Sequence, residues 1–230
     1  MKHLRLHASP IALLFFASAA GTFLLAGRIL WTGHWRQLYL VWNLFLAWVP
    51  LGLALLALHV EEQRGLRHWR FGAVAFGWLM FFPNAPYLFT DLVHLGTSRH
   101  PMFWVDLTVI LILAWTGLMV GLLSLRLMHR LIAERLGWVI GWLFAGAAVG
   151  LSGVGIYIGR FLRWNSWDVV VQPIGLLADL LGRVPDFSNH KRAVLVMLLF
   201  SAFVALTYLT LHAFTLANHR RPGPLPAVTI

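Results

Sequence analysis

Four side chains in the stretch FFPNAPYLFTDLVHL, residues 81–95, have types and spacing suited to chemistry: Asn84, Tyr87, Asp91 and His94. Positions 84, 87, 91 and 94 follow helical spacing and so share one face. Asp91 and His94, three apart, could meet one ligand, a proton or a metal ion. An Asp-x-x-His pair is a weak metal motif by itself, because most metal sites take three or more ligands. Asp106, Asp168 or His190 would have to supply the rest, and metal use stays open. The competing structural role has Asp91 hydrogen-bonded to a neighbouring helix and His94 facing interfacial water.

A second group lies in GIYIGRFLRWNSWD, residues 155–168, where Arg160, Arg163, Asn165 and Asp168 stand beside Trp164 and Trp167. A charge near the hydrocarbon costs about 2.5–3.5 kcal/mol on insertion scales, so these groups must snorkel to the interface or pair with one another. Tryptophan at this depth also fits the ordinary interfacial belt. Arginine binds phosphate or carboxylate bidentately, which points to a lipid headgroup or to the carboxylate of Asp91. Asn43, in VWNLFLAWVPLGL, is suited to interhelical hydrogen bonding. The remaining histidines sit mostly at span ends and read as interfacial.

The elements that position these residues follow from composition. The chain has 230 residues, 60% hydrophobic and 11% charged, with a mean hydropathy of +0.76. Soluble domains average about 45–50% apolar and about 25% charged, so an all-α, polytopic transmembrane bundle is predicted. Hydropathy places six spans at about 10–30, 38–58, 71–95, 103–125, 138–159 and 193–216, forming one membrane domain over 1–217. A disordered tail is expected over 218–230, where the last eleven residues hold three prolines. The N-terminus imitates a signal peptide, but its apolar run continues to Leu30, long enough for a retained first span.

The third span is interrupted. Pro83 and Pro86 remove two backbone donors and disfavour helical geometry at Phe82 and Ala85. Residues 71–82 alone supply about 18 Å of helix, short of the roughly 30 Å hydrocarbon core. The chain must therefore continue through 87–95, and its irregular backbone must be covered by protein or a watery cavity. Asn84 is expected to cap a second half-helix whose positive end could receive an anion. Glycine pairs at 117/121, 146/150 and 155/159 read as close helix packing. Residues 174–184 could lie flat at the outer surface.

The formal charge is +10, but the basic residues sit in short connectors, none long enough for a nucleic-acid-binding module. The pattern suits loops facing an anionic leaflet. The expected partners are the bilayer and, beyond it, an anionic lipid or other membrane proteins; nucleic acid is not among them. The chain contains no cysteine, which excludes disulfide and thiolate chemistry. Over the short connectors the basic residues divide ten to three between the two sides, placing both termini in the cytoplasm. The 83–100 segment, the 159–190 connector, Asn43 and Asp106 then converge on the outer face.

The blocks WNLFLAWVPLGLAL, FFPNAPYLFTDLVHL, DLTVILILAWTGLMVGLLSL and GVGIYIGRFLRWNSWD resemble an uncharacterised family of bacterial integral membrane proteins catalogued as domain of unknown function 1361. The likeness covers about residues 37–215. It implies a polytopic bacterial inner-membrane protein and brings no activity, substrate or cofactor with it. Three function classes remain open: an outward-facing site for an anionic lipid or envelope metabolite, a small proton-coupled transporter, and a non-catalytic assembly or scaffold subunit. In the first, Arg160 and Arg163 hold the anion while Asp91 and His94 handle a proton.

Overall fold

Long apolar runs fold as long helices because the backbone must satisfy its own hydrogen bonds in lipid. The computed structural model describes residues 2–97, 102–164, 168–183 and 191–219, and the regular elements among them are all helical. The helices are α1 (Lys2–Thr32), α2 (Tyr39–Arg64), α3 (Trp69–Phe81), α4 (Asn84–Tyr87), α5 (Phe103–Leu136), α6 (Trp138–Tyr157), α7 (Asp168–Val171), α8 (Pro173–Arg183) and α9 (Lys191–His219). Tighter 3-10 turns cover Trp35–Leu38 and Leu88–Thr97, and a π-turn over Ile158–Leu162 extends α6. Of the tail expected over 218–230, the first two residues belong to α9 and residues 220–230 lie outside the described residues.

Five helical stretches are long and apolar enough to cross a membrane: Ser9–Thr32, Trp35–Arg64, Phe103–Leu136, Trp138–Leu162 and Ala193–Ala217. The interrupted segment is not among them. Its first part, α3, has 13 residues and is about 20 Å long at 1.5 Å per residue. The fourth span runs beyond the expected boundary at 125 and stays helical to Leu136. Residues 126–136 read as a connector because they are basic, yet Arg130 and Glu134 pair at 2.6 Å one helical turn apart, as suits a continuing helix. Only Gly137 separates α5 from α6, at φ +103, a conformation that glycine alone adopts freely.

The central helix is α5. One core cluster joins it to α2, α3, α6 and α9 through Leu51, Trp78, Phe82, Leu125, Met128, Ala148 and Tyr208. A second joins it to α1, α2 and the interrupted segment through Leu25, Leu40, Ala85, Leu88, Ile110 and Leu113. Fixed polar contacts supplement this packing. Trp78 donates its indole N–H to Ser124 at 3.2 Å, and Glu61 pairs with Arg135 at 2.6 Å. His129 is buried against protein, and its Nδ1 lies 2.6 Å from the Tyr208 hydroxyl. That contact ties α5 to α9.

The proline break is covered from two sides. A Cβ at Gly121 would strike Ala85, and one at Gly117 would strike Leu88. On the opposite side a Cβ at Gly155 would strike Pro83, and one at Gly159 would press on the Tyr87 ring at 3.1 Å. Two of the three glycine pairs thus admit the irregular backbone that lipid could not. The third departs from expectation, since nothing among the described residues lies within 4 Å of a Cβ at Gly146 or Gly150.

Candidate binding cavity

At the break the helix loses the N–H groups of residues 83 and 86, so the carbonyls behind them need other donors. The Phe82 carbonyl, which position 86 would serve in a regular helix, accepts instead from the Ala85 N–H at 3.1 Å. The Asn84 side-chain amide donates to the Phe81 carbonyl at 3.0 Å. Asn84 is therefore not the expected N-cap; it lies inside α4 and repairs the end of α3. The expected half-helix with an anion-receiving end is absent as well. The chain makes four α-helical residues and then ten in 3-10 geometry, well beyond the 3–4 residues usual for such turns.

This distorted segment forms one wall of a cavity of about 630 Å³. A second wall is α2, which contributes Tyr39, Trp42, Asn43 and Leu46. The third is the end of α6 with its π-turn, from Leu151 through Arg160, followed by Arg163 and Trp164. Six of the residues singled out in the sequence line this one space: Asn43, Asn84, Tyr87, Asp91, Arg160 and Arg163. They are distributed over the cavity's three walls and come from positions up to 120 apart in the chain.

Asp91 is the hub. It is 1% exposed, accepts from the Asn43 amide nitrogen at 3.3 Å, and faces Arg160 Nη1 at 3.5 Å. Burying a carboxylate requires such partners, and here they come from both opposing walls. The Arg160 contact lies at the outer limit of hydrogen bonding, and 20% of its side chain is exposed. Arg163 is exposed and ends the π-turn, its backbone N–H bonded to the Ile158 carbonyl. Trp164 closes the rim by donating its indole N–H to Asp179 of α8 at 3.0 Å.

Asp106 does not belong to this constellation. It pairs with Arg28 of α1 at 2.8 Å, and that guanidinium also donates to Thr32 Oγ1 and the His34 carbonyl, each at 3.2 Å. Asp168 is half-buried in α7 and is not among the cavity-lining residues. Asn165 and the side chain of His94 lie outside the described residues. Sequence reasoning missed Tyr39 and Trp42. Their signal was the spacing 39, 42/43, 46, one helix face that includes Asn43. Arg28 was also overlooked, although an arginine inside an apolar run calls for a buried partner.

The lining changes character along the cavity. Toward the start of α2 and the ends of the other two walls it holds the polar groups Tyr39, Asn43, Asn84, Tyr87, Asp91, Arg160 and Arg163, set among Trp42, Pro83, Ile158 and Trp164. One to two helical turns away it is apolar, with Leu46, Leu79, Met80, Leu151 and Val154. Five apolar helical stretches of membrane-spanning length, two of which line the cavity, define a multi-pass helical membrane protein. The chain belongs to the family described as protein of unknown function (DUF1361), whose model matches residues 42–207. No curated protein and no solved structure matches it.

Proposed function

We propose that the cavity binds an anionic amphiphile, a lipid or a lipid-like envelope metabolite, at the outer face of a bacterial inner membrane, with both chain termini in the cytoplasm. The observation that carries this reading is the two-ended lining: guanidinium and amide groups at one end, aliphatic side chains at the other. A headgroup oxyanion suits Arg160 and Arg163, while an acyl or prenyl chain suits Leu46, Leu79, Met80 and Val154. The 3.5 Å separation of Arg160 from Asp91 leaves that guanidinium able to turn toward a ligand oxygen.

The test is binding of short-chain phospholipids to the purified full chain in detergent. Arg160→Gln and Arg163→Gln should each weaken an anionic lipid by about tenfold, the worth of one charge-assisted hydrogen bond, and leave a neutral lipid of equal chain length unaffected. Equal binding of both lipids by all three proteins would refute the reading. A scaffold role has one observation in its favour: Asp91 links α2, the interrupted segment and the π-turn. Under that reading, Arg160→Gln would destabilise the fold, Arg163→Gln would not, and neither would change ligand affinity.

A further inference from the structure

The charges on the cavity wall narrow the ligand class. Among the described lining residues the charged groups are Asp91, Arg160 and Arg163. One carboxylate against two guanidiniums leaves a single positive charge. Asp91 has 2% of its side chain exposed and stands within 3.5 Å of Arg160, so the pair is nearly neutral toward a ligand. The remaining positive charge belongs to Arg163 at the mouth, which has no ion pair among the described residues. We infer that Asp91 sets specificity, so that the cavity selects a phosphodiester headgroup, with one negative charge, over a phosphomonoester.

The physical basis is charge matching in a confined space. A phosphomonoester carries about −1.5 to −2 at neutral pH, its second ionisation falling near pH 6. Its extra charge would find no second uncompensated guanidinium among the described lining residues and would sit beside the Asp91 carboxylate. Such repulsion is several times stronger in a partly dry cavity than in bulk water. Asn43 holds Asp91 from the far side at 3.3 Å, which keeps the carboxylate from swinging away to relieve it. A diester places its single charge between Arg160 and Arg163 and presents its esterified oxygen, uncharged, toward Asp91. Tyr39 of the α2 wall and Tyr87 and Asn84 of the interrupted segment supply neutral donors for ester oxygens.

This rests on the proposed anionic-amphiphile site, and one experiment separates the two ideas. Calorimetric titration of the full chain in detergent would compare dihexanoyl phosphatidic acid with its methyl diester, dihexanoyl phosphatidylmethanol. Parallel titrations use glycerol 3-phosphate and its methyl diester, which lack chains. The diester should bind at least about tenfold more tightly than the monoester, and Asp91→Asn should reduce that preference to less than about threefold. Preference for the diester only with chains attached identifies a lipid, and preference without chains a soluble phosphodiester. Monoester binding as tight as diester binding overturns the inference while leaving the binding site standing. So does a folded Asp91→Asn protein that keeps the full preference. If Asp91→Asn does not fold, the unsubstituted chain decides alone. If it binds neither lipid, the proposed function and this inference fall together.

Discussion

Two buried ion pairs of the same chemistry lie in different parts of the molecule, Arg28 with Asp106 and Arg160 with Asp91. The first is bidentate, at 2.8 and 3.2 Å, with 4% and 3% of the two side chains exposed. Its third arginine nitrogen is bonded to Thr32 and His34, so α1 is locked to α5. The second pair stands at 3.5 Å, with its arginine 20% exposed and facing a cavity. A saturated pair with both side chains buried holds helices together. A loose pair at a cavity wall can exchange one partner for a ligand. The contrast explains why Asp106, which by residue type alone is as good a candidate as Asp91, is structural.

The sharpest way to break this comparison is to remove one partner from each pair. Arg28→Leu strands a buried carboxylate and should lower stability by about 3–5 kcal/mol, read as loss of folded protein in detergent. The double change with Asp106→Leu should recover most of it, since an apolar pair can replace a buried ionic one. Gly155→Leu comes next, because its side chain must displace Pro83. Overpacking of this kind costs about 1–3 kcal/mol, and thermal unfolding followed by tryptophan fluorescence would register it. Asp91→Asn keeps an amide where Asn43 can reach it and should cost no more than about 1 kcal/mol. A loss as large as that of Arg28→Leu would erase the distinction between the two pairs. Gly146→Leu should change stability by less than about 0.5 kcal/mol, as for open surface positions, given the empty space around it.

Much of the architecture was legible because lipid imposes so few solutions. Apolar run length marks spans, and the prolines mark the break. Convergence of NAPY with RFLRW followed from span order and basic-residue placement, and Asp91 does meet Arg160. What stayed hidden depends on rotation and on local hydrogen bonding. Prolines show which donors are lost, not whether the carbonyls will find 3-10 partners or the amide of Asn84. Whether Asp106 meets Arg28 or the cavity is decided by how α5 turns about its axis. Tyr39 and Trp42 were inconspicuous because aromatic residues at a span end also fit the interfacial belt.

Arg163 has a left-handed backbone, φ 61 and ψ 30, and among the described residues it is the one non-glycine with positive φ. Glycine or asparagine would adopt that turn at lower cost, by about 1–2 kcal/mol relative to other side chains. Glycine at this position would ease the turn but remove a positive charge from the cavity lining. Arginine at 163 thus couples a less comfortable turn to an exposed positive charge on the cavity lining.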